Sequence, residues 1–206
     1  MGFSSLIDII GSQLIGGILL LILLRVNDSA VQNMYVNTGD LVVQQNLLET
    51  INLLEYDLKK IGYCKNWEKI PDPSKSIISA GPHSISFLTD LAAPPLYPGG
   101  DGVVDTLKYY TGPVSDLSGT PNPRDMMLYR VANHDTPKSA NLGVTQFDIK
   151  YFDVFGDSLT FPITVPSAIY TMQISITVEN TQAYDEKYST VFWRQIRIAA
   201  RNLRNR

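Results

Sequence analysis

The side chains able to do chemistry in this chain are few: two histidines, one cysteine, and two aspartates four residues apart in a glycine-rich stretch. His83 follows Gly-Pro in a turn-forming segment, and His134 lies in NHDTPK, which also reads as a loop. Neither stands in a motif that would make it a general base or a metal ligand. The chain contains no G-x-S-x-G, H-E-x-x-H, P-loop or dinucleotide fingerprint, so no enzymatic activity, no catalytic residue and no cofactor are expected. An enzyme built on the histidines would lose its activity when both are changed. Asp101 and Asp105, in GGDGVVD, combine glycine turns with carboxylate oxygens, a chemistry that suits a calcium loop. Their spacing is not that of an EF-hand, and Asp105 equally suits the start of a strand, so no metal site is assigned. Cys64 stands alone, which excludes an intrachain disulfide or a cysteine-based metal site. Its expected role is packing.

Charge narrows the partners. Lys and Arg number 17 against 20 Asp and Glu, for a formal net charge of -3, and the basic residues are scattered, which leaves no electrostatic footprint for nucleic acid. The exception is the terminal RQIRIAARNLRNR with its five arginines. It reads as a polar, solvated end, with contact to phosphate or anionic lipid as the alternative.

One further acid has an unusual setting. Asp8 interrupts, near its start, the greasy run MGFSSLIDIIGSQLIGGILLLILL. As a helix rising about 1.5 Å per residue, Leu6 to Leu24 covers roughly 28 Å, close to the roughly 30 Å of hydrocarbon in a bilayer. An acid at mid-membrane would be costly. Asp8 lies within the first turn or two, where a headgroup, a partner's positive charge or the helix dipole would hold it. The run lacks a basic n-region and an A-x-A-like cleavage site, so it does not read as a secretory signal. Gly11, Gly16 and Gly17 lower helix propensity but let neighbouring helices approach closely.

The elements beyond this run change period in mid-chain. From Ser29 to about Tyr63 there is no proline and one weak point, Thr38-Gly39. Leu47, Ile51, Leu54, Leu58 and Ile61 recur at spacings of four and three, which places them on one face of a helix that packs on a sheet. Glu49, Asn52, Glu55 and Lys59 mark the wetter side, with Glu55 and Lys59 a favourable pair one turn apart. The helix is predicted to stop at Ile61-Gly62-Tyr63, where glycine suits a left-handed cap. Strands are predicted at 85–87, 106–110, 126–131, 145–152, 170–178 and 189–200 from aromatic and branched residues, several alternating. AAPPLYPGGDG, TGPVSDLSGTPNPRD and NHDTPKSANLG read as loops, and FGDS as a hairpin turn. Phe147, Ile149 and Tyr151 alternate with Gln146, Asp148 and Lys150, which implies a sheet with one covered face. Tyr109, Tyr110, Tyr151, Phe152, Phe192 and Trp193 stand at strand spacing and read mostly as core. The expected fold is α+β: a spanning helix half at 1–25, an amphipathic half at 26–63, and a β-rich domain at 64–206 built on an antiparallel sheet.

This layout resembles the type IV pilin-like proteins, and within them the PilW-like minor pilins and the J-type minor pseudopilins of type II secretion. The residues that carry the resemblance are the Gly2-Phe3 junction before the apolar run, the helix end LLEYDLKKIGY, and then VVDTLKYY, MMLYRVAN, LGVTQFDIKYFDVFGDSL and RIAARNL in that order. The resemblance implies a non-catalytic filament subunit that primes or caps a pilus or pseudopilus. It implies a prepilin peptidase that cuts after Gly2, leaving Phe3 as an N-methylated first residue. The family's acid at the fifth mature position meets a neighbour's N-terminal amine. Here that position is Ile7, and Asp8 follows one place later, turned by about 100°. The family's leader carries basic residues, whereas only Met1-Gly2 precedes the junction here, and no proline lies between Leu20 and Val26. Its partners would be other pilin-like subunits and, before assembly, inner-membrane lipid, with the globular domain periplasmic. A second reading of the same residues is a single-pass envelope-anchored binding or adhesion module.

Overall fold

The computed structural model describes residues 2–91, 99–133, 135–181 and 190–199, the last of these as backbone. His134 lies outside the described residues, as do the arginines beyond position 200 and the side chains of Phe192 and Trp193.

A single helix, α1 (Gly2–Lys59, 58 residues), dominates the molecule. At about 1.5 Å per residue it is about 87 Å long. It passes through Thr38-Gly39 without a break, against the weak point expected there. A helical glycine costs only about 1 kcal/mol relative to alanine, and the docked face begins one turn later at the buried Val43. Beyond Lys59 the backbone tightens, with Lys60 N–H donating to the Asp57 carbonyl and Ile61 N–H to that of Leu58. Gly62 then turns left-handed at φ +73. Its N–H leaves the helix altogether and donates to the Leu88 carbonyl at 2.9 Å, so the cap also fastens the helix end to the sheet. Glu55 and Lys59 pair at 2.6 Å on the exposed side.

Among the described residues seven strands follow: β1 (Ile77–Gly81), β2 (Ser84–Thr89), β3 (Asp105–Thr111), β4 (Met126–Ala132), β5 (Lys138–Phe152), β6 (Thr171–Glu179) and β7 (Thr190–Ala199). They form one antiparallel sheet in chain order. β1 carries no strand signal strong enough to read from sequence, because its IISAG is short and ends in small residues. β5 begins five residues inside NHDTPKSANLG, which reads as a loop. Two register shifts flank Val144, one against β4 and one against β6, so the early half of β5 breaks the alternation that marks its later half. FGDS does form a tight turn, with the Asp153 carboxylate accepting from Phe155 and Asp157 N–H, each at 2.9 Å. It returns the chain only to a single bridge, Phe152 to Ser158. β6 begins thirteen residues later, after a proline-containing excursion.

The sheet curls on itself. β4 accompanies only the first part of β5, and the tip of the β1–β2 hairpin closes on the remainder. Ile149 N–H donates to the Pro82 carbonyl at 2.8 Å, and the Tyr151 hydroxyl reaches the carbonyls of Gly81 and Ser84 at 3.2 and 3.3 Å. α1 lies across β5, β6 and β7. Leu47, Ile51, Leu54, Leu58 and Ile61 are buried in one cluster with Phe87, Phe147, Ile149, Tyr151, Met172, Ile174 and Ile176. Gln146 and Lys150 are exposed on the opposite face.

Candidate assembly surface

The two halves of α1 differ in what they touch. From Leu6 to Leu24 every large apolar side chain is exposed, and the segment is long and apolar enough to cross a membrane by length and composition. A Cβ built on Gly11, Gly16 or Gly17 would meet nothing within 4 Å. These glycines therefore answer to no contact among the described residues and leave the helix backbone open to an approaching neighbour. Gly2 opens the helix, Phe3 is 81% exposed, and Asp8 is exposed among Leu6, Ile7, Ile9 and Ile10. From Asp8 to the first docked residue, Val43, is about 52 Å along the helix. The fold thus places Gly2, Phe3 and Asp8 together at the free end, away from the sheet domain.

The docked half is fixed by a polar group that the apolar periodicity does not reveal. Asp57 is 1% exposed, between Leu54 and Leu58 on the buried face. Its carboxylate accepts from the Tyr109 hydroxyl and from Arg130, whose Nε lies at 2.7 Å and Nη2 at 3.4 Å. Tyr109 and Arg130 are direct cross-strand partners in β3 and β4, so one acid on the helix engages two adjacent strands. Burial, and then the Asp57 charge, push the Tyr109 phenol well above the ordinary tyrosine range. The contact specifies how far α1 slides and turns on the sheet, because a shift would strand a buried charge. The only sequence signal is an acid at a buried-face position of the 47–61 repeat, facing strands that offer a tyrosine and an arginine.

A second buried acid fastens the loops. Asp90 is fully buried and accepts from the backbone N–H groups of Lys65, Asp101 and Gly102, each at 2.9 Å. Gly100 makes this possible. Its φ is +102, and a Cβ there would stand 2.2 Å from an Asp90 oxygen. Cys64 Sγ lies 3.7 Å from the same carboxylate, and burial, ahead of that charge, pushes the thiol up. The cysteine is a packing group in this cradle.

The other side chains singled out for chemistry have local roles. Asp101 accepts from Val103 N–H, and Asp105 from Leu91 N–H and the Asn133 amide. Asp105 thus has an N–H donor on each oxygen and Asp101 a donor on one, and no cluster of three or more His, Cys, Asp or Glu suited to a metal occurs among the described residues. His83 Nδ1 lies 2.9 Å from the Phe147 carbonyl and 3.0 Å from an Asp148 oxygen. Two acceptors at one nitrogen require Nδ1 to carry the proton, and the ring latches the β1–β2 hairpin onto β5. Tyr110 and Tyr129 stack on each other with centroids 5.0 Å apart, and Lys108 lies over Tyr110.

Among solved structures, the chain is similar to a pilin. That structure is a type IV-like pilin from Thermus thermophilus, at 10% identity and a TM-score of 0.45, covering 78% of this chain and 97% of that one. No family model matches the sequence, and no curated protein does.

Proposed function

We propose that this chain is a pilin-like subunit of a membrane-anchored filament, of the minor type that primes or caps assembly in a type IV pilus or a secretion pseudopilus. The observation that carries the reading is one unbroken helix with two environments: an outer half whose apolar side chains are all exposed, and an inner half whose apolar face is buried on a sheet. Before assembly, lipid of the inner membrane solvates the outer half and the sheet domain stands in the periplasm. On assembly, the same half leaves lipid and packs against its counterparts in other pilin-like subunits. Prepilin peptidase cuts after Gly2, and Phe3 becomes the methylated N-terminus. Asp8 then meets a neighbour's ammonium group. In an apolar filament core an unpaired partner would cost several kcal/mol, so the pair acts as a register device. The role is structural and uses no catalytic residue.

The test is recovery of the full chain from detergent-solubilised membranes, with its mass and its companions determined together. Loss of Met1-Gly2, one added methyl group, and co-purification of other long-helix subunits are expected. An intact Met1 in a protein that brings down none of them refutes the reading and favours an anchored binding module. Recovery along the whole filament shaft at stoichiometric levels refutes the priming or capping role alone.

A further inference from the structure

α1 lies over β5 to β7, and where it passes the adjoining ends of β4 and β5 it leaves an open cleft of about 370 Å³. Leu54 and Leu128 are buried at its floor, while Leu53 and Leu142 stand at its sides, Leu53 46% exposed. The polar groups at its edge are chiefly Arg130 and Lys138. A cleft of this size, apolar with a few placed polar groups, has the character of a small-molecule site.

Charge says what would fill it. Arg130 and Lys138 are directly opposed in the β4–β5 register, and like charges so placed repel. Arg130 is neutralised by Asp57. Lys138 is exposed and makes no ion pair among the described residues. The result is a greasy slot with a cation at its rim that has no ion-pair partner among the described residues. We propose that this cleft binds a free, single-tailed anionic amphiphile, such as a medium-chain carboxylate, with the tail on the leucines and the head at Lys138. Thr50, at the cleft wall, is about 39 Å along the helix from Leu24. With the outer helix half in a bilayer, a lipid still in that bilayer does not reach the site, so the ligand arrives as a monomer from the aqueous side.

The experiment uses the full chain in bilayer nanodiscs and decanoate bearing a photoreactive group at the tail, with labelled peptides mapped by mass spectrometry. Labelling is expected on peptides containing Leu53-Leu54 and Leu142, protected by excess decanoate. Each added methylene should strengthen protection about fourfold. Decanol should protect about tenfold less well than decanoate, since it lacks the charge-assisted contact. Lys138→Glu should erase that preference, and Leu142→Trp should block cleft labelling by filling the slot, both with thermal unfolding near wild type. The proposal is overturned if labelling is confined to residues 3–26, if decanol and decanoate protect equally, or if Leu142→Trp leaves cleft labelling intact. None of these outcomes depends on whether the chain joins a filament.

Discussion

Replacing Asp57 tests whether a buried charge sets the docking of α1. The carboxylate is 1% exposed and holds Arg130 and Tyr109. Breaking a buried pair by removing one partner costs about 3–5 kcal/mol. The Arg130 side chain retains 25% exposure, so its guanidinium recovers some hydration and Asp57→Ala belongs at the lower end, about 3 kcal/mol. Arg130→Met leaves the acid buried with only the tyrosine hydroxyl as donor, for a similar loss of about 3 kcal/mol. The double variant no longer strands a charge. It should lose about 3 kcal/mol rather than the additive value of about 6 kcal/mol, a coupling of about 3 kcal/mol. For a chain of this size each single variant should lower the unfolding midpoint by about 6–12 °C. The assay is thermal unfolding of the full chain in nonionic detergent, followed by near-ultraviolet circular dichroism to report on the sheet domain. Additive losses, or an Asp57→Ala change below about 0.5 kcal/mol, would refute the reasoning, because the contact would then be no more than a solvated surface pair.

Alkali should destabilise the fold for a reason visible in the core. Burial raises the phenols of Tyr109 and Tyr151 above their ordinary values, so above about pH 10 the unfolded chain loses protons that the folded chain keeps. Stability should fall there by about 1.4 kcal/mol per pH unit for each group, and Tyr151→Phe should reduce the slope measured by urea unfolding at pH 9 to 11. Leu54→Ala removes a side chain that is 1% exposed and should cost about 2–5 kcal/mol, whereas Leu48→Ala, at 50% exposure, should change stability by less than about 0.5 kcal/mol in the same titration. Asp90→Ala leaves three backbone donors without their acceptor and should cost about 3 kcal/mol or more. Hydrogen exchange should accelerate at the amides of Lys65, Asp101 and Gly102, and unchanged protection there would show that the cradle is held by other contacts.

Much of the fold is legible because its elements repeat a period. The four-and-three spacing from Leu47 to Ile61 and the alternation from Gln146 to Tyr151 are each properties of a local stretch, and a helix on a one-faced antiparallel sheet is the arrangement that covers both. β1 and the first half of β5 were not legible for the complementary reason. IISAG is short and small, and KSANLG loses its alternation where two register shifts interrupt the pairing. What makes them strands is a neighbour already in place to pair with.

By itself the sequence determined the apolar run, its one acid at Asp8, the absence of proline before Pro71 and the places of β2, β3, β4, β6, β7 and the later half of β5, because hydrophobic period and turn chemistry are written within a few residues. Only the tertiary structure decided that Asp57, Tyr109 and Arg130 meet across separations of 52 and 73 residues, that Gly62 hands its N–H to β2, and that the sheet curls until Pro82 reaches Ile149. These contacts join segments with no common period. Each is fixed by the demand that a buried charge or backbone donor find a partner, and that partner is known only once the chain has folded around it.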